Sequence, residues 1–162
     1  PICRNQRESG GTGMSDISSF WNVDALHADW RTDPGALETG NDLQTAIILS
    51  LFTDRLARRD DAYDGSDRRG WWGDSDADTQ LGSRLWLLRR EKLTTNVAIR
   101  AEEYAKEALD WLKGDGVVSD ISCTTQIVMP NRLNLIIRYL PPDGDWQESA
   151  FFWIWEQINN AV

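Results

Sequence analysis

Carboxylates are the most abundant reactive groups in this chain: 26 Asp and Glu stand against 17 Lys and Arg, one His and two Cys. Two acids facing each other across a sugar could cleave a glycosidic bond, one as acid and one as base or nucleophile. Glu102, Glu103 and Glu107 fall in a helical segment, but Glu103 and Glu107 stand four residues apart on its polar side. That spacing reads as a solvated face. Asp60, Asp61, Asp64, Asp67, Asp74, Asp76 and Asp78 make an acidic stretch. Their spacing lacks the alternation, closed by a glutamate, of a calcium loop. His27 has no partner nearby in sequence and reads as structural. Cys3 and Cys123 define neither a disulfide framework nor a zinc spacing. No GxSxG elbow, phosphate loop or dinucleotide fingerprint occurs. The residues therefore assign no catalytic group, no metal ligand and no cofactor.

The second kind of chemistry is aromatic and cationic. Asp67-Arg68-Arg69-Gly70-Trp71-Trp72-Gly73-Asp74 sets two indoles between two glycines, beside two arginines and flanking carboxylates. Adjacent tryptophans are costly to leave on a free loop, and Arg-Arg with Gly and Asp does not suit a buried core. The mixture reads as a folded loop whose glycines permit tight turns and whose rings plug into something. Capping of the domain's own core is the plain alternative. Tryptophan and arginine are also the residues of interface anchors. Arg68, Arg69, Trp71, Trp72, Trp86, Trp153 and Trp155 are the candidate partner-facing residues. Neighbouring side chains diverge, so one ring of the pair is expected to lock the loop onto the helices and the other to point outward. Arg68 and Arg69 are expected to pair with acidic groups.

The totals bound the partners. A chain of 162 residues with 41% hydrophobic and 27% charged residues suits one globular domain with a real core. A net charge of −9 opposes binding to nucleic acid, which needs cations to displace counterions, and to an anionic membrane. No apolar run approaches the roughly 18 residues of a spanning helix, and no signal peptide is visible. Cysteine usage fits synthesis in a reducing cytoplasm.

Several elements must position those groups. Residues 1–15 form a polar arm, its glycine-rich stretch 1–13 expected to be ordered only against another chain, and 16–162 a single domain. Short alternating stretches at Phe20–Val23, His27–Arg31 and Ala36–Glu38, with a Pro34-Gly35 turn, predict a small hairpin. Asn41-Asp42 caps a first helix with Leu43, Ile47, Leu51 and Phe52 on one face, and Ile48 is expected to face a neighbour or the long loop. Arg55, Arg58 and Arg59 sit at the expected C-terminal end, where the dipole favours cations. A connection of about twenty residues, 60–80, is longer than an idle loop needs. Gly82-Ser83 opens a second helix over 84–92. Thr94 or Thr95 caps a third, with Val97, Ala101, Tyr104, Ala105, Ala108 and Leu112 at helical spacing and Gly114 ending it. The period then becomes two: Val117, Ile121, Cys123 and Ile127 on one face of a strand, Leu133, Leu135, Ile137 and Tyr139 on the next, and a third near Glu148–Trp155. The expected fold class is α+β, with an N-terminal hairpin, three helices and a C-terminal antiparallel meander of about three strands.

Four blocks carry a family resemblance: LQTAIILSLFTDRLA at 43–57, DRRGWWGD at 67–74, GSRLWLLRREK at 82–92 and YAKEALDWLKGDGV at 104–117. In this order and spacing they resemble tail baseplate proteins of Mu-like phages and prophages, over most of residues 16–140. That family looks related to the small, lysozyme-like baseplate wedge protein of T-even phages. In that protein the helix before the last sheet ends in Trp-Glu-Pro-Arg. Here Trp111 remains, followed by Leu112-Lys113-Gly114-Asp115-Gly116, and the carboxylate of that motif is missing.

The resemblance implies a non-enzymatic structural subunit of the virion, assembled in the bacterial cytoplasm. Its partners would be a larger wedge protein and the tail hub or spike protein, with the sheath or tail tube protein as further contacts. In a contractile tail it would start the sheath. Two readings compete: a tail-associated peptidoglycan-degrading enzyme, with Trp71 and Trp72 stacking on sugars, and a carbohydrate-binding module.

Overall fold

The computed structural model describes residues 17–22, 25, 27–33, 36–37, 42–63, 65–76 and 80–154, with backbone alone for 32–33, 36–37, 75–76 and 152–154. The expected arm at 1–15 and Trp155 lie outside the described residues. The order is two short β-hairpins, a helix, a long loop, a second helix and a three-stranded antiparallel sheet. In the first hairpin β1 (Ser19–Asn22) pairs with β2 (His27–Trp30). In the second, β3 (Thr32–Asp33) pairs with β4 (Ala36–Leu37) across the Pro34-Gly35 step.

Helix α1 spans Asp42–Phe52. Ile47 and Leu51 are buried as expected, and so is Ile48, which packs in the chain's own core rather than against a neighbour. The helix is enclosed on two sides because the hairpin covers one flank. The Ser19 amide donates to Thr45 Oγ1 at 3.0 Å, and Trp21 stacks on Phe52 with ring centroids 4.1 Å apart. Phe151 meets both rings edge-on. The helix stops at Phe52, so Arg55, Arg58 and Arg59 lie beyond its last turn, which holds no cation. Two of them serve an ion-pair cluster described below.

Helix α2 runs Thr95–Gly114, and Thr94 caps it by accepting from the Val97 amide. Its buried stripe of Val97, Ala98, Ala101, Tyr104, Ala105, Ala108, Leu109 and Leu112 repeats at helical spacing. Trp111 in the last turn donates its indole N–H to Ser50 Oγ at 3.0 Å, tying the two helices. The left-handed residue that ends the turn is Gly116, φ +69°.

Strands β5 (Asp120–Val128), β6 (Arg132–Leu140) and β7 (Gln147–Ile154) follow in sheet order β5-β6-β7. Cys123, Leu133, Leu135, Ile137, Tyr139 and Phe151 are buried on the face turned to the helices. Cys123 stands opposite Ile137, and Ile137 opposite Ser149. Val117 precedes the strand and is exposed; Val118 takes the core position. The Val117 and Val118 amides both return to the Leu112 carbonyl at the helix end, which turns the first side chain outward.

The expected second helix is not an α-helix. Residues Leu85–Leu88 make a single 3₁₀ turn, and there are two α-helices among the described residues. Leu85-Trp86-Leu87-Leu88 is apolar at every position, so no single face can be buried while another is solvated. The segment entering it is also fixed as extended chain. Ser83 bridges Asp54 in parallel, its amide donating to Thr53 O and the Arg55 amide to Ser83 O, both at 2.9 Å. Gly82 makes that approach possible: its φ is +99°, and a Cβ there would lie 2.4 Å from Thr53 O. Gly82→Ala is expected to cost about 1–3 kcal/mol, the range for a residue forced into a left-handed conformation. Urea unfolding checks this, and a loss under about 0.5 kcal/mol, the scale of an ordinary surface change, would contradict it.

Candidate functional site

The long loop between α1 and α2 is pinned at several points. The Ala57 amide donates to Arg68 O at 2.9 Å, and the Arg68 guanidinium donates to Ala57 O. The Arg58 amide donates to Asp61 Oδ2 at 2.8 Å. Farther along, Asp74 accepts from the Leu81 amide at 3.1 and 3.2 Å. These bonds hold the tryptophan stretch in one geometry.

At its entrance Arg69 adopts φ +53°, a left-handed conformation rare outside glycine. Three contacts hold it there. Its amide donates to Asp67 Oδ1 at 2.8 Å. Its guanidinium pairs with Asp54 at 2.6 Å and lies 4.5 Å from the centre of the Trp86 ring. Trp86 is in turn fixed by its N–H donating to Arg55 O at 2.8 Å. Thus Arg69 finds a carboxylate as expected, whereas Arg68 binds a backbone carbonyl. Trp86 is half-buried, a platform beneath the loop.

Neither tryptophan of the pair enters the core. Trp71 is 42% exposed and Trp72 83%, with ring centroids 5.5 Å apart and planes tilted by 49°. The expectation of one inward ring is corrected here. The glycine after the pair is the reason: a Cβ on Gly73 would lie 2.4 Å from the Trp71 ring, so that ring folds back over Gly73 instead of reaching the helices. Trp72 opens a short 3₁₀ turn, Trp72–Asp76. Trp153 stands opposite Leu133 in β7, and its side chain lies outside the description.

Sequence reasoning missed the ionic cluster that braces the loop. Glu107 is only partly solvated and turns into a set of arginines. Its Oε2 accepts from Arg84 Nε at 3.0 Å and Nη2 at 2.7 Å, and its Oε1 accepts from Arg58 at 2.6 Å, with Arg55 3.5 Å away. Arg84, buried among the leucines of 81–88, also pairs with Asp61 at 2.7 Å and lies 4.3 Å from the centre of the Tyr104 ring. One glutamate on α2 thereby gathers the segment after α1, the loop and the start of the 3₁₀ turn. An arginine set inside an apolar run was the available signal, since a buried cation needs a carboxylate.

Burial alone would raise the Glu107 pKa, but the Arg84 hydrogen bonds, then the charges of Arg84, Arg55 and Arg58, lower it overall. A lowered folded value contributes stability above the ordinary glutamate range, lost as pH falls through the folded value. Urea midpoints measured from pH 7 downward are expected to fall below that range. Glu107→Gln should flatten the fall, and an unchanged profile in that variant would contradict the role of Glu107.

With both oxygens engaged by arginine, Glu107 is not placed to exchange protons with a substrate. Burial pushes the Cys123 thiol up to about 12, which leaves it a small hydrophobe in the sheet. His27 is exposed on β2, its Nδ1 2.9 Å from Ala28 O. No group of three His, Cys, Asp or Glu among the described residues could hold a metal ion, and no described helix is long and apolar enough to cross a membrane.

Fold and loop together define a small α+β domain whose long loop presents exposed indoles beside ion-paired arginine. Residues 43–146 match the family described as phage protein GP46. The chain is 45% identical over 133 residues to the baseplate protein gp46 of Escherichia phage Mu, an overlap of 81% of this chain and 90% of that protein. It is 34% identical over 139 residues to the Mu-like prophage FluMu protein gp46 of Haemophilus influenzae, covering 85% and 96%. The chain belongs to the GP46 family.

Proposed function

We propose that this chain is a structural subunit of a phage tail baseplate, and that its tryptophan loop is the face it turns to other baseplate components. The observation that carries the reading is the extent of likeness to the Mu baseplate protein, which spans 90% of that protein's length. The loop geometry supports it. Trp71 and Trp72 are held outward by an ion-paired, left-handed arginine and a glycine over which one ring folds, and pre-organised anchors of this kind lower the entropic cost of docking.

Larger wedge proteins around the tail hub are the proposed partners, with 16–162 acting as one domain and the polar arm before it as an added contact. In a contractile tail the subunit would start the sheath. A relation to the small wedge protein of T-even phages rests on Trp111 near the end of the helix that precedes the sheet.

Immunogold electron microscopy of purified particles tests the reading. Label is expected at the baseplate end of the tail and on no other part. Purified chain is expected to leave peptidoglycan intact in a zymogram. Particles without label, or a cleared zone, would overturn it.

A further inference from the structure

Beside the tryptophan loop lies a cleft of about 450 Å³. Hairpin β1–β2 forms one wall through Trp21 and Ala28, and Leu85 and Trp86 form the other. On its floor the two halves of the core meet. Leu51 belongs to the cluster around α1 and the sheet, whereas Leu88 and Leu133 belong to the cluster around the first half of α2. The cleft therefore lies over the junction of two packed clusters, whose leucines are closed to solvent beneath it, and an apolar side chain would seat against the part-exposed Trp21, Leu85 and Trp86. Its volume falls in the range of sites that bury a small ligand or a large anchor residue.

The rim has a definite charge. Asp54 is already engaged by Arg69. Arg89, at the end of the 3₁₀ turn, is exposed on the lining, and no carboxylate among the described residues pairs with it. In a chain of net charge −9, that guanidinium on a cleft lined by aromatic and polar side chains, His27 and Ser83 among them, favours an anionic group beside an apolar one. The wall is also rigid where it matters, because the Trp86 N–H is held by Arg55 O at 2.8 Å and Arg69 covers its ring. Those contacts make the cleft and the loop one continuous surface.

We propose that this cleft receives an apolar side chain with a carboxylate next to it, supplied by a protein partner that docks on the tryptophan-loop face. The proposal rests on reading that face as the one turned to other baseplate components.

Indole-3-propionate is a minimal probe, a large ring with a carboxylate, and tryptamine is its cationic counterpart. Titrated into the full chain carrying labelled methyl groups, indole-3-propionate is expected to shift the Leu51, Leu85, Leu88 and Leu133 resonances. Tryptamine should bind about tenfold more weakly, the scale of one charge-assisted contact. Arg89→Glu should reverse that order, and Ala28→Trp, which fills the mouth, should abolish both. Equal binding of the two probes, or methyls that shift with neither, would overturn the proposal. The titration needs no tail, so its failure removes the cleft alone. Normal assembly of a Trp72→Ala subunit removes the reading of the loop whatever the probes do.

Discussion

Arg84→Met is expected to destabilise the chain by about 3 kcal/mol at neutral pH, the lower end of what is lost when one partner of a buried ion pair is removed. Methionine keeps most of the apolar stem, so the loss isolates the guanidinium. That group lies 2.7 Å from both Asp61 and Glu107 and over the Tyr104 ring. Without it Asp61 stays nearly buried, with only the Arg58 amide donating to it among the described bonds. Glu107 keeps Arg58 and Arg55 and is partly solvated, which is why the upper end of the range is not expected. Guanidinium unfolding measures the loss. Combining Arg84→Met with Asp61→Asn should recover part of it, because the one carboxylate left without a cation is then gone. A loss below about 1 kcal/mol, typical of a surface pair, would show that the cluster is solvated and does not brace the loop.

Leu51→Ala is expected to cost about 2–5 kcal/mol, the range for removing a buried leucine and leaving a cavity. Leu51 is buried in the cluster built from α1, α2 and the sheet, and its carbonyl accepts the Ser83 hydroxyl. It also borders the cleft beside the hairpin, so truncation enlarges a gap that the surrounding chain has not closed. A denaturation midpoint that moves by less than about 1 kcal/mol equivalent would place α1 at the periphery of the fold, against the packing described.

Local rules carried most of the fold. Thr94 with the Val97–Leu112 stripe predicts α2, and alternation over Leu133–Tyr139 predicts β6, because in each case the period alone separates buried from exposed positions. The failures have tertiary causes. Leu85-Trp86-Leu87-Leu88 has helix-forming residues, yet the Ser83–Asp54 bridge fixes the chain entering it and two clusters demand burial on different sides. Val117 and Val118 cannot be told apart by type; the shared Leu112 carbonyl decides which one turns in. At the candidate site, the pairing of Arg69 with a carboxylate was legible from the arginines and aspartates of the loop. The direction of the rings was not legible, since it depends on Gly73 being covered by Trp71. The role of Glu107 was not legible because its partners, Arg55, Arg58 and Arg84, stand 23 to 52 residues away in the chain.

Trp72 separates folding of the subunit from its incorporation into tails. The residue is 83% exposed, so Trp72→Ala should leave the urea midpoint within about 0.5 kcal/mol of the parent. As an interface anchor it should nonetheless be worth about 2 kcal/mol or more, roughly thirtyfold in affinity. The decisive measurement is the amount of this subunit in tails made by a phage or prophage whose only copy carries Trp72→Ala. The account predicts a folded, soluble subunit that is absent from tails, and particles that do not infect. Infectious particles holding the variant at parental stoichiometry would contradict it.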